Sequence, residues 1–301
     1  TPAEVSYFVG DVEPALVVCE PGSRDTLHAV LGAAAGRIET LDAAGAGTLQ
    51  QRARDMPATF ATVATGPHDL AAIHNTSGSK GAMITHKNLR SNARALVDAW
   101  RFTADDVLLH ALPIFHTHGL FVAIDTVMLS GASMIYLPKF DIDAVMAALP
   151  RATTMMGVPT FYTRLLADSR FDRAAASHMR LFVSGSAPLS AETHRAFTQR
   201  TGHAILERYG MTETNMITSN PYDGERRPGA VGFALPGITV RIADPETGTP
   251  LSQGEVGVIE LKGPNVFSGY WRMPEKTAAE FRADGFFITG DLGYVDPDGY
   301  F

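Results

Sequence analysis

Cysteine is nearly missing from this 301-residue sequence, with Cys19 its single instance. That excludes an intrachain disulfide framework and a zinc site built on cysteines alone, and makes an intracellular, cytoplasmic setting the simpler expectation. Long apolar runs are missing too: no 18 consecutive apolar residues occur, so no membrane-spanning helix is expected. Positive charge is in deficit, with 25 Lys and Arg against 32 Asp and Glu and a formal net charge of −7. No overall basic field exists to recruit nucleic acid or an anionic membrane, and neither is expected as a partner. An anionic ligand must therefore be met by local groups. Internal repeats and low-complexity tracts are also missing. The sequence opens on Thr1 and closes on the apolar-aromatic "DPDGYF", so a piece of a longer protein, cut at both ends, is expected.

What remains is ordinary for a globular protein, 45% apolar and 19% charged. Short apolar runs at "ALVVCE", "LLHALP", "SMIYLP", "TTMMGV" and "RLFVSGS" predict buried strands. Amphipathic stretches at Asn88–Trp100, Asp141–Leu149, Phe161–Ala167 and Ala191–Thr201 predict helices, with Asp141 and Ser190 as N-caps. The Ala/Gly-rich segment Gly32–Gly47 is expected as a helix with a loop. Alternation of this kind predicts layered α/β structure with largely parallel strands over residues 1–228. From Gly229 onward Gly and Pro are frequent, and "ITVRIAD" and "GVIELKG" alternate like half-exposed strands. A β-rich subdomain is expected over 229–301, with a short helix at Glu275–Phe281.

Five stretches carry residues suited to chemistry, each with a plain structural alternative. Thr76-Ser77-Gly78-Ser79-Lys80-Gly81 follows a strand and precedes a helix, where backbone N–H groups, hydroxyls and a lysine can hold phosphate. It lacks the Walker A spacing, and a solvated turn is the commoner identity of so short a motif. "ERYGMTET" offers a tyrosine for stacking, a threonine for phosphate and a carboxylate for Mg²⁺, or simply a strand end with a polar turn. "SGSAPLS" leaves room for a flat ligand on the backbone, or is a strand-to-helix turn; G-x-S-x-G is not met. His116 and His118 in "LPIFHTHGL" would share a face on a strand, yet no further ligands at metal spacing accompany them, so a pocket-lining histidine, or one satisfied by hydrogen bonds at a helix start, is favoured. Asp291, in an expected Thr-Gly-Asp turn, suits ribose hydroxyls or its own backbone.

In their order these stretches resemble the acyl-CoA synthetase/adenylation family of adenylate-forming enzymes. The resemblance rests on His116, Ser184-Gly185-Ser186-Ala187-Pro188-Leu189, Tyr209-Gly210-Met211-Thr212-Glu213, Gly254-Glu255-Val256-Gly257 through Gly269-Tyr270, and Thr289-Gly290-Asp291, and extends over nearly the whole chain. It implies the large N-terminal-type domain of that family, layered α/β sheets plus a β-rich subdomain. It also implies that the family's C-terminal domain, with its lysine, is absent from this sequence. Relative to the family's phosphate loop four residues are missing between Gly78 and Ser79, and His74-Asn75 stands where an apolar residue and a tyrosine are usual.

The activity implied is ligation of a carboxylic acid to coenzyme A through an acyl-adenylate, with ATP and Mg²⁺, releasing AMP and pyrophosphate. The resemblance gives Thr76, Ser77, Gly78, Ser79 and Lys80 to the β- and γ-phosphates, Thr212 to the α-phosphate and Glu213 to Mg²⁺. Gly185, Ser186, Ala187 and Tyr209 would enclose adenine, with Glu207, Arg208, Gly210 and Met211 around the nucleotide and Asp291 on the ribose. His116 and Ser184 would line the acyl pocket. "LPIFHTHGLFVA", "GVPTFYTRLL", "ERYGMTETNM" and "GPNVFSGYWRMPEKT" look like the malonate-using branch. A second carboxylate in an apolar pocket demands a paired cation, for which Arg164 is the first candidate and Arg180 the second. Another short-chain or aryl acid, a carrier-loading adenylation domain, or a nucleotide-binding fragment without turnover stand as alternatives.

Overall fold

The computed structural model describes residues 2–32, 37–76 and 80–301, with Arg37 described for its backbone alone. The chain divides into two compact units, Thr1–Thr65 and Gly66–Phe301. In the first, α1 (Pro2–Val12), β1 (Leu16–Cys19), α2 (Arg24–Leu31), β2 (Arg37–Thr40) and α3 (Thr48–Arg54) follow in order. β1 and β2 pair in parallel. Leu31 and Ile38 are buried among Val5, Val9, Val17 and Leu27. β2 corrects the helix expected across Gly32–Gly47. "RIET" carries one apolar residue and no alternation long enough to mark a strand, so pairing with β1 supplies what local propensity does not.

The second unit begins with β3 (Leu70–Asn75) and β4 (Gly81–Thr85), an antiparallel pair, then α4 (His86–Trp100), β5 (Val107–His110), a π-helical turn at His118–Ile124, and α5 (Asp125–Ser130). β6 (Ser133–Tyr136), α6 (Ile142–Ala148), β7 (Thr154–Gly157), α7 (Pro159–Ala167), β8 (Leu181–Ser184), α8 (Ala191–Thr201) and β9 (Leu206–Met211) continue the alternation. β10 (Asn215–Ser219) and β11 (Phe233–Ala234) turn back against β9. The resulting sheet has the order β11-β10-β9-β8-β7-β5-β6 and is parallel from β6 to β9. β12 (Thr239–Ala243), β13 (Gly257–Lys262), α9 (Pro274–Ala279) and β14 (Phe287–Gly293) close the chain, the three strands forming one antiparallel sheet.

Burial explains the central apolar runs, whereas β1 and β6, also expected as buried strands, have no buried residue. Every residue of β7 and β8 is buried, as expected of central parallel strands covered on both faces. Their side chains join Leu96, Trp100, Tyr162 and Phe197 in the main core. The expected caps are present: Asp141 accepts from Ala144 N at 3.0 Å and Ser190 from Thr193 N at 3.1 Å. α4 starts with a capping box, Thr85 and Asn88 each accepting the other's backbone N–H. Asn88 Nδ2 then donates to the carbonyls of Pro264 and Val266, and Asn92 Nδ2 to Met216 O, so one helix is pinned to β10 and to the segment that follows β13.

One local expectation differs. Asp291 lies on β14 instead of in a turn; Gly290 at φ +80° and a register shift against β13 put a bulge in the strand at that point. The histidines follow the favoured expectation over a shared strand face: β5 ends at His110, and His118 opens the π-helical turn. Among the described residues no helix is long and apolar enough to cross a membrane.

Candidate functional site

A cavity of about 720 Å³ opens where β8 and β9 end, the position at which open α/β sheets receive ligands. Ser184, Ser186 and Ala187 form one side and Glu207, Arg208, Tyr209 and Gly210 another, with Asp291, Tyr294 and Tyr300 contributing from later in the chain. A second cavity, of about 580 Å³, is lined by Leu112, Phe115, His116, His118, Lys139, Phe140, Phe161 and Arg164. Ser186 lines both. It is a non-glycine residue at φ +67°, a strained backbone state, and its Oγ lies 3.2 Å from His118 Nδ1.

Tyr209 is oriented by a short hydrogen bond from its hydroxyl to Asp291 Oδ2. Burial first, then Asp291, holds that phenol in its neutral form. Glu207 accepts from Gly229 N at 3.2 Å, and burial pushes its carboxyl up to about 7. Arg208 is buried to 4% exposure, and its Nε and Nη2 meet no hydrogen-bonding partner among the described residues. Burial holds its guanidinium down to about 9. Gly185 makes this placement possible, since a Cβ there would stand 2.5 Å from Arg208 Nε and Nη1. An unpaired buried cation is costly and marks a place for an anion.

The histidines nearby are neutral. Burial lowers His118 well below its usual value, helped by the positive charge of Arg208; His116 is lowered by burial and then by Arg208. His118 Nε2 is buried without a partner among the described residues. The second cavity therefore presents mostly apolar walls, neutral imidazoles and the cations Lys139 and Arg164, and no carboxylate is among its lining residues. The Arg164 guanidinium lies 4.5 Å over the Phe140 ring, with Nη1 3.4 Å from Phe140 O, a long and weak contact that leaves its donors available.

Of the expected phosphate loop, Ser77, Gly78 and Ser79 lie outside the described residues. Its ends are joined by Thr76 N donating to Lys80 O at 2.9 Å. Lys80 Nζ reaches Tyr270 Oη at 3.2 Å, and that hydroxyl donates to Glu213 Oε1 at 2.8 Å. Met211 ends the strand that lines the first cavity, and Thr212 and Glu213 follow it directly. Glu213 is buried at 4% exposure. No group of three His, Cys, Asp or Glu able to hold a metal exists among the described residues. A single oriented carboxylate still fits Mg²⁺, which is commonly held by one or two carboxylates together with phosphate oxygens of its nucleotide.

Arg180 requires correction as a substrate residue. It lines neither cavity; Nε and Nη2 grip Asp106 at 2.6 and 2.7 Å and Nη1 donates to Trp100 O. Its charge is spent in a bidentate pair. Tyr270 is not among the site residues the sequence suggests, and of the two histidines the resemblance gives a role to His116 alone. Tyr270 stands in the "GY" of a quoted motif and His118 in "HTHG", but only the fold shows what they touch.

Layered sheets and two cavities sharing one wall define the class, the large N-terminal-type domain of an adenylate-forming enzyme. The chain belongs to the AMP-binding enzyme family, whose profile matches residues 1–271. It is 39% identical over 256 residues to the probable CoA ligase CCL8 of Humulus lupulus, covering 77% of this chain and 42% of that protein. It is 38% identical over 257 residues to the malonate–CoA ligase of Arabidopsis thaliana, with the same shares covered. The crystal structure of ATP-bound MatB from Rhodopseudomonas palustris is similar at 59% identity with a TM-score of 0.97, covering all of this chain and 60% of that one. The chain thus spans less than half the length of these two curated relatives.

Proposed function

We propose that this chain supplies the nucleotide and acyl sites of an AMP-forming acid–CoA ligase whose acid is malonate. The observation that carries the choice of acid is Arg164 on the acyl cavity, seconded by Arg208, which is buried and unpartnered on the first cavity and whose charge acts on His116 and His118 of the acyl lining. A monocarboxylate presents one anion, which the reaction consumes. A dicarboxylate keeps a second charge throughout, and two arginines able to bond a carboxylate side-on meet that demand. The cations and the lack of lining carboxylates suit malonate better than a fatty or aryl acid.

In this reading residues 1–228 hold nucleotide and acid, and the β-rich subdomain 229–301 brings Asp291 to the ribose. Ser186, Ala187 and Tyr209 enclose adenine, with Glu207, Gly210 and Met211 at its edge. Thr76, Ser77, Gly78, Ser79 and Lys80 hold the β- and γ-phosphates. Glu213 would hold Mg²⁺, which would supply positive charge against the phosphates. Thr212 donates to the α-phosphate, and His116 orients the reacting carboxylate. That carboxylate oxygen attacks the α-phosphorus and pyrophosphate leaves. The coenzyme A thiol then attacks the acyl carbon, forming the thioester and releasing AMP. Bringing an anion toward a polyanion makes positioning and charge neutralisation the main demands on the protein. Arg164→Ala in the full chain tests the assignment: kcat/KM for malonate falls far more than for acetate or butyrate. Equal losses for all three acids remove Arg164 as the residue of selection.

A further inference from the structure

Tyr270 belongs to none of the roles above, yet it stands between two groups that the proposed function needs. Its hydroxyl accepts from Lys80 Nζ at 3.2 Å and donates to Glu213 Oε1 at 2.8 Å. The sequence of donors is directional, from ammonium through phenol to carboxylate, and cannot run the other way because lysine has nothing to accept with. Lys80 Nζ also lies 4.4 Å from the centre of the Tyr270 ring.

The ring is a fixed post. Tyr270 is 2% exposed and packs edge-on against Phe267 at 4.8 Å. The backbone on either side extends the β3–β4 pair: Met83 N donates to Gly269 O at 2.9 Å and Trp271 N to Gly81 O at 2.7 Å. Tyr270 N is itself tied to Thr277 Oγ1 at 2.9 Å. The phenol is therefore anchored to the strand that begins immediately after Lys80. Glu280, 3.9 Å from Lys80, is already paired with Lys276 at 2.7 Å and competes weakly for the ammonium.

We propose that Tyr270 is a positioning residue for the metal–triphosphate end of the nucleotide, holding the phosphate-loop lysine and the metal-binding carboxylate at a set separation. This rests on the proposed function. Without the hydroxyl, Glu213 is left buried and free to rotate, and Lys80 loses its tether on the site side. The substitution Tyr270→Phe keeps the ring and removes only the hydroxyl.

Titration calorimetry on the full chain compares Mg²⁺·ATP, ATP with chelator, and AMP. The variant is expected to bind Mg²⁺·ATP about tenfold more weakly, the range for one hydrogen bond to a charged group. AMP affinity stays unchanged, because AMP has no β- or γ-phosphate to engage Lys80. In the Lys80→Ala background the loss caused by Tyr270→Phe shrinks, since the two act together. Unchanged Mg²⁺·ATP affinity, or equal weakening of Mg²⁺·ATP and AMP, overturns the assignment; the second outcome marks a merely structural tyrosine. Tyr270→Met, which fills the space without a hydroxyl, gives the same comparison should the phenylalanine variant misfold. Failure of the parent chain to bind any of the three nucleotides falls instead on the proposed function.

Discussion

Arg208→Met is expected to make the ligand-free protein more stable while removing its response to malonate. The guanidinium is buried at 4% exposure with Nε and Nη2 unpartnered among the described residues, and burial holds it down to about 9. That is roughly three and a half pH units below an ordinary arginine, and at about 1.4 kcal/mol per unit the cation costs the fold about 4–5 kcal/mol. A lowered folded-state value in a base means the cost is fully present below pH 9 and is relieved only above it. Methionine keeps a flexible stem of similar length in the same space. Allowing for relaxation around a smaller side chain, a net gain of about 2–4 kcal/mol is expected at pH 7, seen as a higher urea midpoint at unchanged slope. Saturating malonate should raise the midpoint of the parent, since it binds only the folded form, and leave that of the variant unmoved. A variant less stable than its parent at pH 7, or one that malonate still stabilises, refutes the assignment of Arg208 as an anion receptor held ready at the expense of stability.

Gly185→Ala should displace that same guanidinium, because the added Cβ stands 2.5 Å from Nε and Nη1. Expected is a rise of about tenfold or more in KM for malonate, a loss of about 1.4 kcal/mol. Glu207→Gln tests the raised carboxyl. A carboxyl at about 7 in the fold and near 4.5 unfolded gives stability that is whole below pH 4.5 and is lost as pH rises through 7. Denaturant titrations at pH 5 and pH 8.5 should thus show the parent losing about 2–3 kcal/mol that the glutamine variant keeps. Arg180→Ala should destabilise by about 3–5 kcal/mol through the abandoned Asp106 carboxylate, with the relative kcat/KM for malonate and acetate unchanged.

The sheet was legible because its signal is local. "SMIYLP", "TTMMGV" and "RLFVSGS" are short apolar runs, and β6, β7 and β8 occupy them. α8 spans Ala191–Thr201 because Ser190 caps one end and Gly202, at φ +84°, ends the other. β2 was illegible because its cause is a partner strand some twenty residues earlier in the chain. The motifs gathered as their order suggested, in that Ser186, Ala187, Tyr209 and Asp291 line one cavity. Which arginine is free could not be read. Arg164, Arg180 and Arg208 look alike in sequence, and Asp106, the residue that occupies Arg180, lies 74 positions away. The same holds for Tyr270, whose partners Lys80 and Glu213 lie 190 and 57 positions distant.

The central claim is that this site activates malonate as its adenylate. Exchange of labelled pyrophosphate into ATP, measured in the full-length protein with malonate, acetate, butyrate and no acid, tests it most directly, because exchange requires the adenylate to form and revert. The account predicts Mg²⁺-dependent exchange with malonate at least tenfold above that with either monocarboxylate. Exchange driven equally well by acetate or butyrate, or none with malonate, would contradict it.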